Sequence, residues 1–384
     1  VARILVFAHP ASPHSLRRAV VGQQAGHRIF WVAAERADLP GVTSFSLPRP
    51  LCRSLACRAV LEPFLVARAI RAARPDLIHV FGAGRGLAAL VLARFHPLVV
   101  TATGGDILPD QHYRGVEAPL VRLLLDKADR ITSRSDFMDR ALLAIGDYGP
   151  KIHRVTWGME LDLYHPHRET AHLRRKWSIP EGDLVFFDPR IAWPFYNKHL
   201  ILAAFGRYLR SGGPPATLLI GELRADSRYV ARLRALARDL GVREKVRFVG
   251  SLDHLTELPD YYVLADATIS VPPSDGLPMT IFEALACGSF LIVGDLDQYR
   301  GVVEDGVTAR LVKVGDEAAL AEAMAWVAAN PEARAGAAEK GRPLACRLAD
   351  LKRQSALVNE IYAELLNGGA GGKGPPRDRG GRRR

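Results

Sequence analysis

Short apolar runs of strand character alternate with helical stretches along nearly the whole chain, and this alternation restricts the fold more than any other feature. Strands buried on both faces read as continuous runs of branched and aromatic residues. When helical segments separate them, they pair in parallel through crossover connections. The pattern predicts strands over residues 3–7, 28–32, 77–80, 98–101, 130–132 and 152–155 in the first half. In the second half it predicts 184–187, 217–220, 246–249, 267–270, 290–293 and 309–312. Helices are expected between most of them, at 54–73, 136–144, 198–210, 227–240 and 317–328. The expected class is therefore α/β, with two Rossmann-like units in tandem. A chain of 384 residues has room for two such domains, each with its own core.

Composition narrows the function classes. Hydrophobic residues make up 48% of the chain, which is ordinary for a globular protein. No apolar run approaches the roughly 18 to 20 residues of a membrane span. The best candidate, residues 87–100, is broken by Arg94, His96 and Pro97. The opening VARILVFAHP reads as a buried first strand rather than a signal peptide. Cysteines at 52, 57, 287 and 346 lack metal-ligand spacing, and reduced thiols in a cytoplasmic protein are the simplest reading. The net charge is +11, of which residues 368–384, rich in Gly, Pro and Arg, hold +5. That tail is expected to be a disordered solvated segment, with a weak hold on anionic lipid or RNA as the alternative. Arg53, Arg58, Arg68, Arg71 and Arg74 lie on one helical stretch. They form a solvated face or, alternatively, one drawn to the anionic inner surface of a membrane.

The stretch from Val271 to Asp316 carries the chemistry. Asp275 lies in a loop and Glu283 about one turn into the following helix, with seven residues between them. A strand end, loop and helix start of this kind is where open α/β sheets bind phosphorylated ligands. Two carboxylates beside backbone N–H donors suit a nucleotide sugar, whose diphosphate joins two hydroxylated rings. Spacing alone leaves another role open for Glu283, because Thr280-x-x-Glu283 is also a capping box. Asp275 is likewise compatible with a simple Ser-Asp-Gly turn.

These residues resemble glycosyltransferase family 4, whose members are retaining enzymes of the two-Rossmann GT-B fold. The family pattern of Glu-x7-Glu, Ala-Met-Ala-x-Gly and a later Val-x-Asp-Gly-like turn is matched here by Asp275, Glu283, Ala284-Leu285-Ala286-Cys287-Gly288 and Val303-Glu304-Asp305-Gly306. The resemblance implies that Glu283 grips the ribose and that Asp275 binds donor-sugar hydroxyls. Aspartate reaches about 1.5 Å less far than glutamate, one C–C bond. Gly276, Leu277, Pro278 and Met279 are expected to supply close backbone around the diphosphate, with Pro278 in the first helical turn.

The family's cation pair, Arg-x5-Lys-Gly, corresponds to Arg190 and Lys198, here with seven residues between them and His199 in place of Gly. Asn197 is expected to cap the helix that Lys198 begins. These cations would stabilise the departing diphosphate, so no metal or other cofactor is expected. Ser251 and Glu222 are expected to border the nucleotide. On the acceptor side, Thr103-Gly104-Gly105-Asp106 resembles the family's His-Gly-Ser-Asp, with Thr for His and Gly for Ser. Asp106 is expected near the reacting carbon, and His9 and His14 near the acceptor. Gly82-Ala83-Gly84-Arg85-Gly86 is GxGxG rather than a dinucleotide fingerprint, and reads as a loop.

The implied domains are an acceptor-side unit at 1–160, a nucleotide-sugar unit at 161–346, a crossover helix at 347–366 and the tail at 367–384. The implied activity is retaining transfer of a sugar from a nucleoside-diphosphate donor to a glycan, lipid-linked or cell-envelope hydroxyl, with no specific nucleic-acid partner. A nucleotide-sugar-binding scaffold without catalysis is one alternative, suggested by Thr103 and by Glu160 in a family Asn-Gly-Val-Asp-like segment. A sugar-nucleotide epimerase of the same form is the other.

Overall fold

The computed structural model describes residues 1–9, 22–23, 25–36, 39–48, 54–108 and 117–368. His14, Cys52, Arg53 and the basic tail from residue 369 lie outside them. Contacts divide the chain into two units, the first comprising Val1–Ser133, Asp139–Val155 and the residues from Ser355 on, the second Arg134–Met138 and Thr156–Gln354.

The first unit is built on β1 (Arg3–Phe7), β2 (Arg28–Val32), β3 (Thr43–Phe45), β4 (Leu77–Phe81), β5 (Leu98–Thr101), β6 (Arg130–Ser133) and β7 (Ile152–Arg154). They form one parallel sheet in the order β3-β2-β1-β4-β5-β6-β7. The intervening helices are α1 (Leu55–Ala73), α2 (Ala89–Leu92), α3 (Ala118–Lys127) and α4 (Asp136–Ile145). Ser54 starts α1 by accepting from the Cys57 N–H at 3.3 Å. β4 is buried throughout, which makes its one polar residue informative. His79 bonds Thr101 Oγ1 at 2.7 Å through Nε2 and the Tyr362 hydroxyl at 2.5 Å through Nδ1. Paired this way, a buried imidazole avoids the cost of an unmet polar group.

The second unit holds β8 (Leu184–Asp188), β9 (Ala216–Gly221), β10 (Val246–Gly250), β11 (Ala267–Ser270), β12 (Phe290–Gly294) and β13 (Ala309–Val312), parallel in the order β10-β9-β8-β11-β12-β13. Its helices are α5 (Ala171–Lys176), α6 (Lys198–Arg210), α7 (Ser227–Asp239), α8 (Leu258–Leu264), α9 (Met279–Cys287), α10 (Glu317–Ala329) and α11 (Pro331–Ala349). Phe186, Phe205, Tyr208, Leu218, Ile269, Ile292 and Met324 sit at the centre of its core. Each such side chain contributes about 1.5–3 kcal/mol on burial. Strand order reverses between β8 and β11, so the loops after these two strands flank the sheet's switch point, where open α/β sheets take ligands.

Most strands lie where the apolar runs place them. β3 was not expected, because three residues at a sheet edge carry too little pattern. α11 was not expected either. Its sequence PEARAGAAEKGRPLACRLA is rich in Ala and Gly and lacks a large apolar stripe. The reason is its neighbour: α11 packs on α9 through the small residues Ala337, Gly341 and Ala345. A Cβ on Gly341 would stand 2.7 Å from Leu285 Cδ2, so the helices approach too closely for anything larger without movement. Gly288 ends α9 in the left-handed region at φ 81°, again against α11, where a Cβ would lie 2.9 Å from that of Ala338. The last helix, α12 (Leu351–Gly368), starts four residues later than expected, and its residues from Ser355 on count with the first unit. Among the described residues no helix is long and apolar enough to cross a membrane.

Candidate functional site

β8 ends on Asp188, and the chain turns through Pro189 to Arg190. The loop then forms a 3-10 turn at Pro194–Tyr196 before α6. Asn197 holds the N-cap position of α6 as the sequence suggests, but its side chain makes no cap bond. It is itself left-handed at φ 53°, and its side-chain amide donates to the Val271 carbonyl at 2.9 Å. That bond ties the loop after β8 to the one after β11. Tyr196 lies beneath Arg190, with the guanidinium 4.7 Å from its ring centre.

The loop after β11 carries Asp275. Its Oδ2 accepts from Arg190 Nη2 at 2.7 Å, and its Oδ1 from the Gly276 N–H at 2.7 Å. The Tyr299 hydroxyl stands 3.5 Å from Oδ2, and Gln298 Nε2 donates to the Asp275 carbonyl at 2.5 Å. Arg190 and Asp275 expose only 10% and 12% of their side chains, so the pair is nearly withdrawn from water. Burial is the largest influence and opposes the guanidinium's charge, but Asp275 together with Tyr196 and Tyr299 outweighs it and holds Arg190 above its ordinary value. Burial, then Asp275, pushes the Tyr299 phenol well up, which keeps it a neutral donor. Leu277 adopts φ 68° and is buried, a conformation that branched side chains rarely take.

α9 starts at Met279 with Pro278 as its N-cap and without a side-chain cap bond. The capping box that the spacing leaves open has therefore not formed. Glu283 is 2% exposed, and its Oε2 accepts from the Tyr262 hydroxyl at 2.9 Å. Its Oε1 is buried with no hydrogen-bond partner, and so is Nη1 of Arg190. Natural structures leave few buried polar atoms unmet, and each costs roughly 1–3 kcal/mol or more. One orphan is an acceptor and the other a cationic donor. The first-turn N–H groups of α9 add a fixed partial positive charge beside them.

Lys198 opens α6 as expected but is fully buried, with Nζ 2.7 Å from Asp188 Oδ2. Burial is the largest influence on both groups, pushing the ammonium down and the carboxyl up. Glu222 follows β9, and its Oε1 accepts from Arg234 Nη2 at 2.7 Å. Ser251 is exposed at the end of β10. Both stand at the same end of the sheet as Arg190, but neither is bonded into its network.

In the first unit, Asp106 binds its own loop. Its carboxylate accepts from the Ala83 N–H at 2.5 Å, the Thr103 N–H at 2.9 Å, the Gly104 N–H at 2.9 Å and Thr103 Oγ1 at 3.0 Å. This residue, expected beside reacting atoms, fixes the loops after β4 and β5. Gly104, at φ 107°, and half-buried Gly105 shape the same turn. His9 is exposed beyond β1. Sequence reasoning missed Asp188, Tyr262, Gln298 and Tyr299. Only Asp188 left a signal, as an acid closing the otherwise apolar run LVFFD.

The family model "Glycosyltransferase Family 4" matches residues 16–163, and "Glycosyl transferases group 1" matches residues 170–343. The putative glycosyltransferase EpsD of Bacillus subtilis is 27% identical over 56% of this chain and 55% of its own length. The chain spans about half the length of the curated relatives it matches. Among solved structures, sucrose-phosphate synthase from Thermosynechococcus elongatus gives a TM-score of 0.81 at 18% identity, covering 96% of this chain and 100% of that one. Anabaena Alr3699/HepE, solved in complex with UDP and glucose, gives 0.77 at 19% identity, covering 95% and 100%. Likeness at that identity shows the fold, which is GT-B. With both halves matched by its models, the chain belongs to glycosyltransferase family 4.

Proposed function

We propose that this chain transfers a sugar from a nucleoside diphosphate to an acceptor hydroxyl, with retention at the anomeric carbon. One observation carries the reading: Glu283 Oε1 and Arg190 Nη1 are buried and unmet at the loops that flank the switch point. A ribose hydroxyl would satisfy the first and a diphosphate oxygen the second. Asp275 would take a donor-sugar hydroxyl while still held by Arg190. UDP and glucose in the Anabaena neighbour are compatible with such a donor. In the reaction, the bond between the anomeric carbon and the diphosphate oxygen breaks, and its electron pair leaves with the diphosphate. The acceptor oxygen forms its bond on the same face. Its proton passes to the departing phosphate oxygen, so no protein nucleophile is needed. Arg190, Lys198 and the α9 terminus stabilise the charge that develops. With cations in place, no metal is required.

The expected result is release of nucleoside diphosphate from one member of a donor panel, dependent on an acceptor hydroxyl and unchanged by EDTA. Loss of turnover in EDTA would remove the metal-free mechanism. Recovery of an isomerised nucleotide sugar, with no diphosphate released, would replace transfer by epimerisation.

A lipid-linked acceptor at the inner face of a membrane fits one surface. Val60 and Phe64 of α1 are 58% and 68% exposed, and Leu87 and Leu90, on the turn and helix packed against α1, are 45% and 47% exposed. Val60, Phe64, Arg68 and Arg71 follow at helical spacing on one exposed stripe, apolar first and then basic. That order suits acyl chains beside anionic headgroups. Vesicles containing anionic lipid should sediment the protein, and Phe64→Ser with Arg68→Glu should release it. Equal binding to purely zwitterionic vesicles would refute the charge component.

A further inference from the structure

Asp188 takes no part in the reaction outlined above, yet it is fully buried and bonded both to the backbone of Arg190 and to the ammonium of Lys198. Its Oδ1 accepts from the Arg190 N–H at 2.9 Å, fixing the turn that aims Arg190. Its Oδ2 holds Lys198 Nζ at 2.7 Å. A buried ion pair adds little to stability beyond what well-packed apolar residues would give, so stability alone is a weak reason for one. The placement has a clearer reason. Arg190 already has Asp275 as counter-charge, whereas Lys198 has Asp188. Without that carboxylate, a lysine shut away from water would shed its proton, and an arriving anion would meet a neutral amine.

We infer that Asp188 is a positioning residue that keeps Lys198 in place and charged in the empty site, so that a diphosphate meets a ready cation. This rests on the diphosphate reading of the site. Binding to the wild-type chain then needs no proton. In Asp188→Asn, the side chain keeps its size and can still accept from the Arg190 N–H, but it loses the charge and the acceptor that faced the ammonium, and anion binding must recharge Lys198. Binding and proton uptake become linked, which costs about tenfold in affinity per pH unit above the lysine's lowered pKa. The other groups facing the ammonium are Arg190, Glu222, His199 and Tyr229. Burial lowers His199 and raises Tyr229, and Asp275 keeps Arg190 charged, so none of these three titrates near pH 8–9.

The test is calorimetric binding of UDP, GDP, ADP and inorganic pyrophosphate from pH 7.5 to 9.5. The wild-type chain, Asp188→Asn, Asp188→Glu, Lys198→Met and the Asp188→Asn/Lys198→Met double variant are compared, each checked for folding by circular dichroism. Wild type and Asp188→Glu should vary little with pH. Asp188→Asn should weaken about tenfold per unit over the upper part of the range, and the two Lys198→Met chains should be flat and alike. A flat Asp188→Asn profile, even at lower affinity, overturns the inference and leaves the diphosphate site standing. Failure of all four probes to bind the wild-type chain overturns the diphosphate reading and this inference with it.

Discussion

Arg190→Ala should lower donor turnover by about 10²–10³, the loss typical of removing one donor to charge that develops in a transition state. The residue sits where three demands meet. Its Nη2 holds Asp275, its plane rests on Tyr196, and its Nη1 is left for a ligand. Arg190→Lys should recover only part of the activity, because an ammonium cannot hold the carboxylate and a phosphate in one rigid fork. The alanine variant should also melt earlier. It leaves Asp275 in a nearly dry site with only the Gly276 N–H and the distant Tyr299 hydroxyl. Stripping one partner from a buried pair costs about 3–5 kcal/mol. Initial-rate kinetics and a thermal melt on the same preparation separate the two effects. Turnover within threefold of wild type would show that Arg190 serves Asp275 alone.

Glu283→Gln should weaken donor binding by about ten- to a hundredfold, equivalent to roughly 1.5–3 kcal/mol for a hydrogen bond to a charged group. Glutamine is nearly isosteric, and its oxygen can still accept from the Tyr262 hydroxyl. Only the charged, unmet oxygen is exchanged. The empty protein should therefore melt no earlier than wild type and gain some stability if the amide finds a carbonyl. Loss of affinity together with kept or improved stability is what a ligand-binding acid gives. A helix-capping acid would show the reverse. Calorimetry with the best nucleoside diphosphate and a melt without ligand decide between them, and unchanged affinity with a lower melting temperature would end the ribose assignment.

Sequence reasoning reached the sheets because a strand buried on both faces shows itself as an unbroken apolar run, as in ATLLIG of β9 or FLIVG of β12. It missed β3 and α11, whose formation depends on a neighbour: an edge partner in one case and the surface of α9 in the other. The site divided in the same way. Asp275 and Glu283 were legible because the family's spacing marks them, and Arg190 because it follows the first strand of its unit, although the loop to Lys198 is two residues longer. The Thr280–Glu283 box and the Asn197 cap were plausible local bonds that tertiary partners displaced, Tyr262 in one case and Val271 in the other. For Lys198 the sequence shows the cation but not its counter-charge, which lies ten residues earlier on a strand end. Local patterns carry such information poorly when a hydrogen bond joins distant parts of the chain.

The return of the chain after Ser355 bears on how this protein tolerates being cut. Tyr362 closes the hydrogen bond to His79 in the middle of the first sheet, across 283 positions of sequence. An expression product ending at residue 155 would leave that imidazole facing a missing hydroxyl, however complete its seven strands. The first unit is discontinuous in sequence, and a peptide corresponding to α12 is the natural complement for a product that lacks it.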